Sequence, residues 1–145
     1  ELLTIHLSGG EKMITAAIAA AKTIQTKVIG VSVLTSLTDA DTTALFQTTT
    51  AEQAAKLFKL ANETQVDGIV CSPLELELAL KLLSPETLKI TPGIRDTAVN
   101  DDQSRTMTAN EAIQHGASYV VIGRPISKAP NVSEALKYFA QSIHE

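Results

Sequence analysis

The chain has 145 residues, 44% of them hydrophobic and 19% charged, with a net charge of −4 and a pI near 5.4. That composition belongs to one folded domain with a core, and the acidic balance excludes the dense basic field that nucleic acid or an anionic membrane surface would require. A single cysteine, Cys71, allows no internal disulfide, and no apolar run approaches the roughly 18 residues of a membrane span. With no signal-peptide pattern in Glu1-Leu2-Leu3-Thr4, a soluble cytoplasmic protein is expected.

Leu2 to Leu7 is an apolar run stopped by Ser8-Gly9-Gly10, a strand followed by a tight loop. Met13, Ala16, Ala17, Ala20 and Ile24 then recur at helical spacing and predict one buried helix face. Val28 to Leu34 reads as a second strand, ending at Thr35-Ser36. A short helix around Asp39 to Phe46 precedes a stronger one from Ala51 to Asn62, with Ala54, Leu57, Phe58 and Ala61 inward and Thr50 and Gln53 as its capping box. Gly68 to Cys71 is a third strand. Its exit carries Ser72 as N-cap, Pro73 at the first helical position and Glu75 three after the cap, opening a helix to about Leu83. Leu88 to Thr91 is a fourth strand, followed by a polar loop from Asp96 to Arg105 and a helix capped by Thr108 and Glu111, with Gly116 as its stop. Tyr119 to Ile122 is a fifth strand. The last helix starts at Asn131, with Val132, Ala135, Leu136, Phe139 and Ile143 as its apolar stripe.

Strands apolar throughout, each separated from the next by helix, indicate parallel strands covered by helices, so the fold class is α/β in a single domain. An open doubly wound sheet is one possibility. A segment of an eight-stranded (β/α)8 barrel is favoured, because the units are similarly spaced and Gly-Arg strand exits recur on the last two strands, where such barrels commonly hold a phosphate. A complete barrel takes about 250 residues. The chain opens without Met and directly on a strand, so the expectation is that five strand–helix units are present and that three more precede Glu1.

Ile122-Gly123-Arg124-Pro125 is the strongest candidate for chemistry: glycine lets a ligand approach bare backbone, and arginine offers a fixed, forked cation. Thr91-Pro92-Gly93-Ile94-Arg95 repeats the arrangement, and the chain's three arginines, Arg95, Arg105 and Arg124, all fall in this region. A turn glycine with a surface arginine is the plain alternative. Gln103, in the long polar loop, is a lid candidate, and Thr35 could hydrogen-bond a ligand or simply cap a loop. His6 reads more readily as a core histidine than as a base, and Cys71 as core. The sequence contains no zinc-spaced Cys/His cluster, no P-loop and no Gly-x-Gly-x-x-Gly.

Taken in order, six motifs resemble the bacterial orotidine 5'-phosphate decarboxylase family. They are Ile5-His6-Leu7-Ser8-Gly9-Gly10, Val31-Ser32-Val33-Leu34-Thr35-Ser36, Gly68-Ile69-Val70-Cys71-Ser72, Thr91-Pro92-Gly93-Ile94-Arg95, Asp102-Gln103-x-Arg105-x-Met107-Thr108 and Val121-Ile122-Gly123-Arg124-Pro125-Ile126. The resemblance implies a cofactor-free, metal-free lyase that converts orotidine 5'-phosphate to UMP and CO2, acting as a homodimer. It implies that Arg124 and the Gly123 backbone hold the phosphate, that Arg95 lies in the same subsite, that Gln103 closes over phosphate and pyrimidine, and that Thr35 faces the pyrimidine edge. The family's catalytic lysine and aspartates, spaced Asp-x-Lys-x-x-Asp, have no counterpart in these 145 residues. No catalytic residue is therefore expected in this chain; that set is expected before Glu1, and the chain alone is expected to be inactive. Two other readings stand beside this one. One is a related phosphosugar barrel enzyme such as hexulose-phosphate synthase. The other is a non-catalytic phosphate-binding half-barrel.

Overall fold

The computed structural model of the protein describes residues 1–95 and 106–143. Five strands, β1 (Leu2–His6), β2 (Lys27–Val31), β3 (Gly68–Val70), β4 (Leu88–Thr91) and β5 (Tyr119–Val120), pair in parallel and lie side by side in chain order. The connecting helices are α1 (Gly10–Lys22), α2 (Asp39–Phe46), α3 (Thr50–Thr64), α4 (Leu76–Leu82) and α5 (Ala109–Gln114); α6 (Arg124–Ser127) and α7 (Val132–Ser142) follow β5.

The strand order decides between the two α/β architectures. A doubly wound sheet reverses its order at a switch point, whereas here each new strand is laid on the same side of the one before. Right-handed crossovers then put every helix on one face. That is the arrangement of a barrel wall.

The packing follows. Ile5, Gly30 and Ile69 stand in register across β1 to β3. Ile5, Ile69, Cys71 and Val120 join one cluster with Ile14, Ala21, Ala54, Phe58, Leu76, Ala79 and Ala112 of the helices. Gly30 is required there, because a Cβ at that position would run into the fully buried side chain of Leu7. The opposite face carries the row His6, Val31, Val70, Ile90 and Tyr119, one residue per strand. Ile90 in the middle of this row is buried, while Tyr119 at its end is 55% exposed. His6, expected in the core, is exposed on the edge strand.

Local chemistry accounts for the boundaries that moved. α1 buries Ile14 and Ala21, with Met13, Ala17 and Ile18 half-buried beside them; of the expected set Ala16 and Ala20 are exposed, and Ile24 lies outside the helix, 71% exposed. Burying two branched side chains removes more apolar area from water than burying alanines. The α3 capping box is Thr49 with Glu52, one residue before the expected pair, because the Thr50 hydroxyl instead donates to Asp39 Oδ1 at 2.7 Å and ties α3 to the start of α2. β2 stops at Val31, where the Ser32 N–H and hydroxyl both donate to the Val70 carbonyl, at 3.1 and 2.8 Å. The caps of the other exits match expectation: Ser72 with Glu75, Thr108 with Glu111, and Asn131 at the start of α7.

Candidate functional site

In a parallel sheet of this order all C-terminal strand ends lie on one rim. The structure therefore gathers there the exits that the sequence singled out: Thr35 after β2, Ser72 after β3, Gly93 to Arg95 after β4, and Gly123-Arg124 after β5. β4 and β5 are neighbours. Thr91 pairs with Val120, and the Val121 N–H donates to the Thr91 carbonyl at 2.9 Å, carrying the alignment toward the two glycines.

Gly123 is the N-cap of α6, with φ −98° and ψ −95°, and among the described residues a Cβ there would meet nothing within 4 Å. The space beside its backbone is thus open to a ligand. Arg124 is the first residue of the helical turn, and Ile126 and Ser127 both donate to the Gly123 carbonyl at 3.0 Å. Pro125 fits this turn because a proline early in a helix forfeits no hydrogen bond. The turn itself was not foreseen; the signal for it was Pro125 two residues after a cap-competent glycine. Arg124 is half-buried.

Gly93 has φ +81°, a conformation that favours glycine. It turns the chain so that Ile94 bridges to Met107: the Arg95 N–H donates to the Met107 carbonyl at 3.0 Å, and the Met107 N–H to the Gly93 carbonyl at 3.4 Å. These bonds clamp together the two ends of the segment that contains Gln103, which itself lies outside the described residues, as does Arg105. Arg95 is only 7% exposed, and its guanidinium donates to the Ile94 carbonyl at 2.7 Å. Its side chain forms a wall of a cavity of about 180 Å³ shared with Thr108, Asn110, Tyr138 and Ser142. Arg95 is thus set beneath the rim, between α5 and α7.

The other two exits differ in the same way. Thr35 is half-buried in the turn that follows β2, where the Leu37 N–H donates to the Leu34 carbonyl at 3.0 Å. Ser72 and Glu75 are buried and bond each other: the Ser72 N–H donates to the Glu75 carboxylate at 3.1 Å, and Ser72 Oγ accepts from Leu74 N at 3.3 Å. That exit is held by the protein's own hydrogen bonds. At the start of α5, hydrogen bonds from the Thr108 hydroxyl and then from its backbone N–H hold the Glu111 carboxyl below its ordinary range. This cap anchors the downstream end of the clamp. Among the described residues no group of three or more His, Cys, Asp or Glu side chains could hold a metal ion.

Residues 1–139 match the family described as orotidine 5'-phosphate decarboxylase / HUMPS. The chain belongs to that family. Among curated relatives, the orotidine 5'-phosphate decarboxylase of Saccharophagus degradans is 45% identical over 146 residues, covering 98% of this chain and 61% of the relative. That of Wolbachia sp. subsp. Brugia malayi is 41% identical over 144 residues, covering 99% of this chain and 64% of the relative. Among solved structures, the orotidine 5'-phosphate decarboxylase of Lactobacillus acidophilus superposes with a TM-score of 0.81 at 28% identity, over 99% of this chain and 63% of that one. The Methanocaldococcus jannaschii orotidine 5'-monophosphate decarboxylase, solved with the inhibitor BMP, gives 0.74 at 23% identity, over 99% and 62%. These decarboxylases are TIM barrels, so the five-stranded sheet is a portion of that wall. The chain spans less than two thirds of the length of these relatives.

Proposed function

We propose that this chain carries the phosphate and pyrimidine subsites of an orotidine 5'-phosphate decarboxylase, the enzyme that converts orotidine 5'-phosphate to UMP and CO2 in pyrimidine biosynthesis. The observation that carries the reading is Gly123-Arg124: an open glycine backbone and an arginine opening a helical turn, on the rim beside the β4 exit. In this reading the Arg124 guanidinium pairs with phosphate oxygens while the backbone at Gly123 lets them approach. Arg95 belongs to the same subsite as its buried support, holding the clamp that presents Gln103. Gln103 closes over phosphate and base, and Thr35 hydrogen-bonds the pyrimidine edge.

Phosphate binding far from the reacting carbon is useful because its energy holds the ring in place and lowers the barrier, not only KM. The chemical step breaks the C6–carboxylate bond, releases CO2 and leaves an electron pair on C6 that takes up a proton. The cation and proton for that step are assigned to a lysine flanked by aspartates in Asp-x-Lys-x-x-Asp spacing, which this sequence does not contain. Turnover therefore requires further strand–helix units that supply them, with no metal or organic cofactor. The complete enzyme is read as a cytoplasmic homodimer.

The family description also covers HUMPS, which keeps a phosphosugar enzyme such as hexulose-phosphate synthase as the second reading; the curated relatives named above favour the decarboxylase. Calorimetry tests the proposal. UMP binds, uridine binds much less, and Arg124→Ala weakens UMP by about 10- to 100-fold, the loss of one charge-assisted contact worth about 1.5–3 kcal/mol, with uridine unchanged. Equal losses for UMP and uridine would make Arg124 structural. Preference for ribulose 5-phosphate over UMP would favour the second reading.

A further inference from the structure

We propose that a hollow on the opposite rim, at the N-terminal ends of the strands, binds a basic α-amino acid through its ammonium and carboxylate groups. The inference is independent of the phosphate reading, because parallel strands set this hollow at the far end of the sheet from Gly123-Arg124. It encloses about 460 Å³ between the end of α3, the starts of β2 and β3, and the turn that joins α4 to β4. A volume of that order is ordinary for a small-molecule pocket.

Bonds within the protein hold the polar walls in place. Asn62 Oδ1 accepts from the Ser84 N–H at 3.1 Å, which ties the end of α3 to the turn before β4 and orients the carboxamide. Asp67 Oδ2 accepts from the Val28 N–H at 2.7 Å, and Glu86 Oε2 accepts from the Ser84 hydroxyl. A carboxylate can accept several hydrogen bonds, so a single bond positions each group and leaves capacity for a ligand donor. Thr87 is the group that asks for a ligand. It lines the hollow, is only 8% exposed, and among the described residues nothing hydrogen-bonds its hydroxyl. A buried hydroxyl without a partner is destabilising, and a polar ligand in the hollow removes the penalty. Charge then fixes the class. Lys27 brings one positive charge to the walls, and Asp67 and Glu86 bring two negative charges at neutral pH. Their complement carries two cations and one anion. The ligand ammonium groups face Asp67 and Glu86, and its carboxylate faces Lys27, the Thr87 hydroxyl and the Asn62 carboxamide. A nucleotide phosphate would meet two carboxylates for one ammonium, which separates this site from the rim. A bare divalent cation is opposed by Lys27, and among the described residues no group of three or more metal-ligating side chains is present.

The test titrates the 145-residue chain with L-lysine at constant ionic strength, followed by nitrogen–proton correlation NMR. Saturable shifts are expected at Asn62, Gln65, Asp67 and Thr87, with a dissociation constant of about 1 mM, and none at Gly123. L-Glutamate should not bind, and cadaverine, which lacks the carboxylate, should bind about two- to fivefold more weakly than L-lysine. Thr87→Val removes the buried hydroxyl at nearly constant shape and should weaken L-lysine about five- to tenfold. Glu86→Gln acts at an exposed group and should weaken it about two- to fivefold. UMP affinity should stay the same in both variants. No saturable shift at these residues, equal binding of cadaverine and L-lysine, or unchanged L-lysine affinity in both variants would each overturn the proposal. The titration of the unaltered chain decides the matter even where a variant fails to fold. UMP calorimetry on the same samples separates the two readings: a chain that binds L-lysine and ignores UMP loses the phosphate site alone, and one that binds UMP and ignores L-lysine loses this site alone.

Discussion

The stretch from β1 to β4 and the stretch from β5 to α7 are built to different densities. In the first, Leu7, Ile14, Phe58, Ile69, Leu76 and Ala79 are all fully buried. In the second, β5 has two paired residues, α6 buries none, and α7 buries only Phe139. Gly123-Arg124, the proposed phosphate grip, belongs to the sparse part. Stability is therefore made upstream and lent to a site whose own strand contributes little. Local opening free energies should follow burial, highest in β2 and β3 and lowest beyond β5.

Paired truncations break this comparison if it is wrong. Phe58→Ala removes a fully buried aromatic ring from the centre of the dense part and should cost about 3–5 kcal/mol, enough to unfold a marginal domain. Leu136→Ala, at a residue 56% exposed on α7, should change stability by less than about 0.5 kcal/mol. Urea titration followed by circular dichroism measures both, and similar losses would show that α7 is as tightly held as α3. Next in size is Gly30→Val. The added branches meet Leu7, which has no solvent-facing side to move toward, so a loss of about 1–3 kcal/mol is expected. Combined with Leu7→Ala, which itself removes a fully buried side chain, the pair should cost less than the sum of the two single changes if the clash is the cause.

Much of the dense part was legible from the sequence, and the reasons are local. The helix starts at Ser72 and Thr108 are each fixed by a side chain and its backbone partner a few residues away, so a short window contains the answer. α1 was read out of phase because its five alanines support more than one stripe, and only packing chooses the one with Ile14 and Ile18. On α7 the apolar spacing is real, yet Val132 and Leu136 stay half exposed, since a pattern shows which face could be buried and not what lies against it. The site divides similarly. Gly123-Arg124 was legible as a strand exit. The burial of Arg95 was not, because it depends on the positive φ of Gly93 and on the Ile94 to Met107 bridge, a contact across thirteen residues of chain.

A smaller effect of opposite sign is expected just below the rim. The Thr91 hydroxyl, at the end of β4, is buried and has no hydrogen-bond partner among the described residues. A buried polar group without a partner is destabilising, and an apolar group of similar shape removes the penalty. Thr91→Val should raise stability by about 1 kcal/mol, or Tm by about 4 °C, as differential scanning calorimetry would show. A drop instead would mean that the hydroxyl is satisfied by something bound there.

The smallest expected effect is the dependence on acid, and it tests whether the helix caps matter to the dense part. Asp41 is held below its ordinary value of 3.8, first by the backbone N–H and then by the hydroxyl of Thr38. Glu52 is held below 4.5 in the same order by Thr49, and Glu111 below 4.5 first by the hydroxyl of Thr108 and then by its N–H. Because folding lowers these values, the unfolded chain binds more protons in acid, and stability falls as pH falls. The contribution is complete at neutral pH, begins to fade as pH drops toward 4.5, and is gone once the lowered native values are passed. All three carboxylates are exposed, so the slope should be shallow and spread over α2, α3 and α5. Thr49→Ala should reduce the acid dependence of the urea midpoint and lower stability at pH 7 more than at pH 3. An equal loss at both pH values would show that the threonine works through its hydroxyl on the helix N–H, with the carboxylate adding nothing.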